Sequence, residues 1–230
     1  MTLKKISIVI PARNEEETIV KVLDDIKETF SNFKYPYEVI VIDDHSVDKT
    51  STVAMEKGAI VLQNNGASGK GSALKLGFNR AEGEYVVMMD ADYSHRAEDI
   101  PLFIEQLERG AGLVIGSRIL GGSEEYTRVR AFGNIFLTWM FGLLMGRYLS
   151  DALNGYKAFV RELVTQHNYT SNNFEIEIEI VANALKSGKR IVEVPSHERI
   201  RGGGEAKSKV VKDGVKFLMR IIKEWLKIKI

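Results

Sequence analysis

Val86-Val87-Met88-Met89-Asp90-Ala91-Asp92 decides how this chain of 230 residues is read. The apolar run Val86–Met89 predicts a strand buried on both faces, and it stops at two carboxylates separated by one small residue. In an open α/β sheet, ligands collect outside the carboxyl ends of the strands, so Asp90 and Asp92 stand where chemistry is expected. Two acidic oxygens at such a place suit a hard divalent ion that also holds phosphate oxygens. An isolated Asp-x-Asp would serve equally well as a solvated turn before the next helix. The surrounding sequence favours the ligand-binding reading.

Upstream of this stretch, strand and helix patterns alternate. Ile6–Ile10 is an apolar run, broken only by Ser7, that Pro11 should stop. Ile19, Val22, Leu23, Ile26 and Phe30 recur at helical spacing and predict a helix from about Glu15 to Phe30, with Asn14 and Glu17 as a capping box. Glu38–Ile42 reads as the second strand, ending at Asp43-Asp44. A helix over Lys49–Lys57, stopped by Gly58, and a short strand Ile60–Leu62 follow. The Gly-rich loop from Asn64 to Gly71 opens a helix running to Ala81, and Tyr85–Met89 is the fourth strand. This alternation predicts an α/β fold with a parallel sheet covered by helices on both faces.

Downstream, Ala97–Arg109 reads as a helix and Leu113–Gly116 as a strand, while the polar Gly121–Arg130 reads as a mobile connection. Ala131–Gly146 carries no charge, yet a membrane span needs roughly 20 apolar residues, so a core or interfacial helix is expected. A helix over Glu175–Lys186, a strand over Arg190–Val194 and a long C-terminal helix complete the reading. In that last helix Val211, Val215, Leu218, Ile222 and Trp225 share one stripe. The lysines lie largely off it, which suits either a docked amphipathic helix or one lying on anionic headgroups.

A hydrophobic content of 44% with 27% charged residues describes an ordinary folded chain of one large domain, with at most a small appendage. There is no cysteine, which excludes disulfides, thiolate metal sites and cysteine nucleophiles. Met1–Lys5 leads straight into an apolar run too short for a secretory signal. The net charge of +1 hides an asymmetry: residues 205–230 hold eight Lys/Arg against three Asp/Glu. A basic tail on an acidic body points to an anionic partner surface, with a membrane first among candidates. No recognised nucleic-acid motif is present, so nucleic acid is not an expected partner.

Four polar clusters should converge on one sheet edge: Pro11-Ala12-Arg13-Asn14-Glu15, Asp43-Asp44-His45-Ser46, Asp90-Ala91-Asp92 and Gly116-Ser117-Arg118. Carboxylates at the second strand suit a nucleobase edge or ribose hydroxyls, and a metal at Asp90 and Asp92 would grip a diphosphate. Gly66-Ala67-Ser68-Gly69-Lys70-Gly71 resembles a phosphate cradle. Gly71 stands where a P-loop needs Ser or Thr, which excludes a P-loop NTPase.

These motifs, in this order, resemble the family 2 inverting glycosyltransferases of the GT-A fold, and within them the dolichyl- and polyprenyl-phosphate mannose or glucose synthases. The later blocks extend the likeness: Gly116-Ser117-Arg118, Arg130 with Gly133-Asn134, Ser150-Asp151-Ala152-Leu153-Asn154-Gly155-Tyr156-Lys157, Glu179, Val194-Pro195, and Arg201 with Gly204, Ala206 and Lys207. The resemblance spans roughly residues 5–210. It implies a mostly parallel central sheet flanked by helices, with amphipathic helices in the C-terminal half. Residues 1–204 would form the catalytic body, and 205–230 a basic helix of the same unit.

The resemblance also implies roles. Pro11, Ala12, Arg13, Glu15, Asp43 and Asp44 match positions lining the nucleotide, and Lys70 and Ala91 join the nucleotide-sugar set. Asp90 and Asp92 match ligands of a magnesium or manganese ion. Asp92, Arg118, Arg130, Arg201 and Lys207 make up the catalytic set, its basic members gathered at the acceptor phosphate and donor diphosphate. The implied reaction moves a hexose from a GDP-mannose or UDP-glucose type of donor to a polyprenyl phosphate, peripherally at the cytoplasmic membrane face, with a membrane-anchoring subunit as a further partner. A phosphate acceptor with a second pKa of about 6 is already ionised at pH 7 and needs no general base. A hydroxyl acceptor would need one, and His197, which lies near these basic residues, could act on it. Two alternatives stand beside this reading: a soluble glycosyltransferase with a hydroxyl acceptor, and a non-catalytic nucleotide-binding scaffold. Tyr93-Ser94-His95 departs from the Leu-Gln-His usual in the mannose synthases, and Ala206 stands where Ser is common.

Overall fold

Strand β1 (Ile6–Ala12) lies at the centre of a seven-stranded sheet and pairs in parallel with β2 (Tyr37–Asp43) on one side and β4 (Tyr85–Met88) on the other. The structure is a computed structural model describing residues 3–125, 127–203 and 210–229. Helices α1 (Glu16–Asn32), α2 (Thr50–Glu56) and α3 (Lys70–Arg80) and strand β3 (Ile60–Gln63) complete the first half. A single 3-10 turn then leads into α4 (Ile100–Glu108), followed by β5 (Leu113–Ser117), the short α5 (Arg118–Gly121) and α6 (Arg128–Met145). The rest comprises β6 (Lys157–Val160), α7 (Glu162–Thr165), α8 (Ile176–Lys186), β7 (Ile191–Pro195) and α9 (Val210–Lys229).

The strand order is β3-β2-β1-β4-β6-β5-β7. From β1 the chain first builds outward through β2 and β3, then crosses back to β4. The order therefore reverses between β1 and β4, which opens a ligand crevice at their carboxyl ends. Alternate residues feed two apolar layers. Val9, Val86 and Met88 pack with α3 and α8, whereas Ile8, Ile10 and Val87 pack with α1 and α4.

The structure corrects several sequence expectations. Strand β1 runs through Pro11 to Ala12. Ile6 N donates toward β2, so by alternation the Pro11 nitrogen faces the β4 side, where pairing has ended at Val9↔Met88. The Asn14–Glu17 capping box does not form: Glu15 is the N-cap, and Asn14 instead accepts a 2.8 Å hydrogen bond from Val47 N. Strand β6 was not expected; it inserts antiparallel between β4 and β5, so the sheet is mostly rather than wholly parallel. Within the polar Gly121–Arg130 connection, the part around Ser123 and Glu124 is tied down: Ser123 pairs with Glu198, and Glu124 N donates to Glu198 O over 2.9 Å.

The largest correction concerns α9, which rests on α6 and α8. Its buried face includes Arg220, Ile221 and Glu224, while Val215, Met219, Ile222 and Leu226 are exposed. The expected stripe is thus split, with Leu218 and Trp225 half-buried and the Val211 side chain outside the described residues. Arg220 reaches Glu179 of α8 at 3.1 Å and Glu224 at 3.0 Å, and Lys186 of α8 also pairs with Glu224. Helix α6 buries Leu137 and Phe141 but displays Val129, Phe132, Phe136, Trp139 and Leu143. No helix among the described residues is long and apolar enough to cross a membrane. The 204/205 boundary expected from sequence lies outside the described residues.

Candidate active site

The loops after β1, β2 and β4 hold Asn14 (φ 51°), His45 (φ 62°) and Tyr93 (φ 69°), the non-glycine residues with left-handed backbone among those described. Such conformations persist only where neighbouring structure enforces them, and here they fall together at the carboxyl edge of the sheet.

At the end of β2 both carboxylates are buried and used. Asp43 accepts from Ser46 N at 2.8 Å and from the Ser51 hydroxyl. Burial works against its ionisation, but these hydrogen bonds hold the carboxyl below the usual range. Asp44 accepts from Asn64 Nδ2 (2.7 Å), Ser68 Oγ (3.1 Å) and Gly69 N (2.8 Å), and so pins the Gly-rich loop that leads into α3. Gly69 is required there, because its φ is 145° and a Cβ would lie 2.2 Å from Asn172 O. Arg13 reaches Ser68 at 2.9 Å. Glu15 is buried at the head of α1, where it accepts from Thr18 Oγ1 at 2.8 Å.

Asp90 and Asp92 face a cavity of about 420 Å³. Lys70, Arg118, Arg130 and Arg201 line the same cavity, so the structure brings together these six residues singled out from the sequence. Pro11, Ala12, Arg13, Glu15, Asp43, Asp44 and Ala91 are not part of its lining; they occupy the adjoining strand ends. Lys207 lies outside the described residues, as do Gly204 and Ala206.

Each cavity carboxylate has a cationic neighbour. Lys70 Nζ stands 2.6 Å from Asp90, and Arg201 Nη2 stands 2.8 Å from Asp92. Burial opposes ionisation of Asp90, but the Lys70 charge pulls its carboxyl well below the ordinary range. Burial likewise disfavours the Lys70 ammonium, and Asp90 and Glu177 together more than restore it. Asp92 also accepts from Ser94 N (3.0 Å) and Ser94 Oγ (2.6 Å), and Asp90 N donates to His95 Nδ1 over 3.0 Å. The His95 ring stacks on Tyr156, with centroids 4.7 Å apart. Arg118 is gripped bidentately by Asp151 at 2.7 and 2.8 Å. His197 is not in the cavity lining; it sits at the surface against Glu124 (2.9 Å) and Gly121 O (3.1 Å).

Sequence reading missed Glu177, which lines the cavity and pairs with Lys70 at 2.9 Å. The available signal was the Ile176–Ile180 alternation of Ile and Glu on a helix. Residues 176–184 of α8 are all buried, so both acids need partners: Glu177 takes Lys70 and Lys157, and Glu179 takes Thr170, Ser171 and Arg220. The cavity wall also carries apolar side chains, Phe136 and Leu137 of α6 with Val215, Phe217 and Leu218 of α9, beside the buried Asp213.

Residues 7–166 match the family model for glycosyl transferase family 2. The chain belongs to that family. Over 230 aligned residues it is 31% identical to dolichol-phosphate mannosyltransferase of Pyrococcus furiosus, covering 95% of this chain and 64% of the relative. It is 30% identical to dolichyl-phosphate hexose transferase of Haloferax volcanii, covering 88% of this chain and 86% of the relative. Glycosyltransferase AglJ of the same organism is 34% identical over 83% of this chain and 62% of its own length. The family 2 chain thus spans a little under two thirds of AglJ and of the mannosyltransferase. Among solved structures, glucosyl-3-phosphoglycerate synthase from Mycobacterium tuberculosis, in complex with Mn²⁺, UDP-glucose and phosphoglyceric acid, superposes with a TM-score of 0.77. It shares 23% identity over 96% of this chain and 80% of that one, which establishes the GT-A fold.

Proposed function

We propose that this family 2 chain transfers a hexose from a nucleotide-diphosphate sugar to a polyprenyl phosphate at a membrane surface. One observation carries the reading: the wall of a single cavity holds the cations Lys70, Arg118, Arg130 and Arg201 among its carboxylates and also apolar side chains of α6 and α9. An acceptor with an anionic head and a hydrocarbon tail suits a wall of both kinds. The names of the dolichyl-phosphate relatives support the same acceptor class.

The residues present fit a divalent ion of the magnesium or manganese type. Asp90 and Asp92 supply hard carboxylate oxygens at a strand end, and such ions bind through one or two carboxylates plus substrate phosphates. Among the described residues no group of three or more His, Asp or Glu side chains is placed to hold a metal unaided, so the remaining ligands would be donor phosphate oxygens and water. When bound, the ion supplies charge neutralisation for the departing nucleoside diphosphate.

The chain's own residues account for the rest. The strand ends at Pro11–Glu15 and Asp43–Asp44 stand beside the carboxylates, where the nucleoside would lie. Arg118, Arg130 and Arg201 hold the acceptor phosphate and face the leaving diphosphate, and Lys207 is assigned the same role from its sequence match alone; guanidinium N–H groups suit phosphate oxygens. A phosphate oxygen attacks the anomeric carbon, the bond from that carbon to the donor diphosphate breaks, and inversion follows from the opposite-face approach. Because the acceptor is already ionised near neutral pH, no general base is required; the histidine that does line the cavity, His95, has its Nδ1 engaged by Asp90 N.

The outer surface supports a peripheral membrane location. Phe136 and Val215, which line the cavity, belong also to the exposed apolar stripes of α6 and α9. The acids of α9, Asp213 and Glu224, are buried and α6 has none, so every exposed charge described on the two helices is basic. Apolar residues edged by Lys and Arg suit an anionic lipid interface.

The test uses purified protein, Mn²⁺ or Mg²⁺, a panel of UDP- and GDP-sugars and a short-chain polyprenyl phosphate, with radiolabel followed into the organic phase. Metal-dependent transfer that Asp92→Asn abolishes is the expected result. Donor hydrolysis without lipid product would move the assignment to a hydroxyl acceptor, and no donor binding at all would leave a scaffold.

A further inference from the structure

Lys70 stands between two carboxylates. Its Nζ lies 2.6 Å from Asp90 Oδ1 and 2.9 Å from Glu177 Oε1, and its side chain is only 9% exposed. Glu177 has a second cation, the fully buried Lys157, 2.9 Å from Oε2. From the cavity wall inward the charges therefore alternate as Asp90, Lys70, Glu177 and Lys157. Gly155 makes room for this row: a Cβ there would lie 2.6 Å from Lys70 Nζ, 3.1 Å from Asp90 Oδ2 and 3.3 Å from Glu177 Oε1. Arg201 occupies Asp92 in the same manner, at 2.8 Å. Both carboxylates suited to a divalent ion are thus already neutralised by cations of the protein.

We propose that Lys70 is a resident counter-ion of Asp90 that makes metal capture conditional on the donor's diphosphate. A divalent ion arriving alone meets a carboxylate whose charge is satisfied and a buried ammonium beside it. The repulsion between the two cations is felt strongly because little water screens it. A diphosphate changes the balance by bringing its own negative oxygens. The Lys70 ammonium carries three donor hydrogens, so it can turn from Asp90 toward a phosphate oxygen while keeping its contact with Glu177. Asp90 is then released for the ion. The Glu177–Lys157 pair stays in place throughout and anchors the swinging group. Lys70 acts here as a positioning residue, and its role rests on the metal-dependent nucleotide-sugar reading above.

The experiment measures Mn²⁺ binding by electron paramagnetic resonance, with wild-type protein and Lys70→Gln, each alone and with UDP or GDP. Wild type is expected to bind Mn²⁺ at least tenfold more tightly when the nucleotide is present. Lys70→Gln is expected to bind Mn²⁺ alone about tenfold more tightly than wild type and to lose most of the nucleotide dependence. The variant should fold, because Glu177 retains Lys157 and the new amide can still donate to both carboxylates. Should it not fold, wild type decides: Mn²⁺ affinity that is the same with and without nucleotide overturns the proposal. Nucleotide-dependent Mn²⁺ binding by wild type, with no gain for Lys70→Gln, overturns the counter-ion role while leaving the donor reading intact. Failure of wild type to bind either nucleotide, with or without Mn²⁺, overturns both.

Discussion

Helices α1 and α9 both carry regular apolar stripes, yet they treat them in opposite ways. In α1, Ile19, Val22, Leu23, Ile26 and Phe30 all face the core beneath β1 and β2. In α9, Val215, Met219, Ile222 and Leu226 recur at helical spacing and face outward, while Arg220 and Glu224 are buried. Periodicity shows that a helix has two unlike faces; the neighbour decides which one is inside. For α1 the neighbour is an apolar sheet. For α9 it is α8, whose buried Glu179 and inward-reaching Lys186 demand charged partners. Helix α9 thus buries its two acids and Arg220 and leaves Val215, Met219, Ile222 and Leu226 exposed beside lysines.

The harshest way to break this comparison is to remove the buried cation. Arg220→Ala would leave Glu179 and Glu224 short of a partner, and breaking a buried pair costs about 3–5 kcal/mol. A value near the lower end is expected, because Glu224 keeps Lys186 and Lys227. Urea unfolding measures it, and a loss below about 1 kcal/mol would mean that the charges do not fix the helix.

The matching change in α1 is smaller. Ile26→Val trims one methylene from a packed core and should cost about 0.5–1.5 kcal/mol in the same assay. A negligible loss there would show that the α1 stripe is packed no better than the exposed one.

On the outer face of α9, Ile222→Ser and Met219→Ser should change stability by no more than about 0.5 kcal/mol. Their effect belongs in co-sedimentation with phosphatidylglycerol vesicles. Wild-type binding should weaken with added salt, and each variant should bind less than wild type. Unchanged vesicle binding would remove the membrane explanation for the inverted helix.

The gentlest test concerns the strap between Gly121–Glu125 and His197–Arg201. The hydrogen bond to Glu124, helped by Gly121 O, raises the His197 pKa above 6.5. A raised histidine contributes stability that is complete below its unfolded pKa and lost as pH climbs through the folded one. The strap should therefore loosen on the alkaline side of 6.5. A histidine proton resonance should titrate with a midpoint above that value and fall back toward it in Glu124→Gln.

The first half of the fold was legible because its signals are local. Each of β1, β2 and β4 is a mainly apolar run followed by polar residues, and parallel pairing of such runs leaves one place for the polar ends to gather. Of the six cavity residues, Asp90, Asp92 and Arg118 were visible for that reason; Lys70 was visible in its Gly-rich loop, and Arg130 and Arg201 only through the family resemblance. Strand β6 was hidden because its first residue is Lys157, a charge that no local rule places inside a sheet. Its burial is tolerable only through Glu177, twenty residues further along the chain. The capping box failed for a related reason, since Asn14 is drawn to Val47 on a different loop.

Sequence alone determined the strand–helix alternation, the carboxylates at the end of β4 and the family likeness, because each depends on neighbours a few residues apart. Tertiary structure alone decided which face of α9 turns inward, that Lys70 and Arg201 occupy the two carboxylates, and that charged and apolar walls share one cavity. Those outcomes depend on charges buried together from distant parts of the chain, and a buried charge is stable only where its partner arrives.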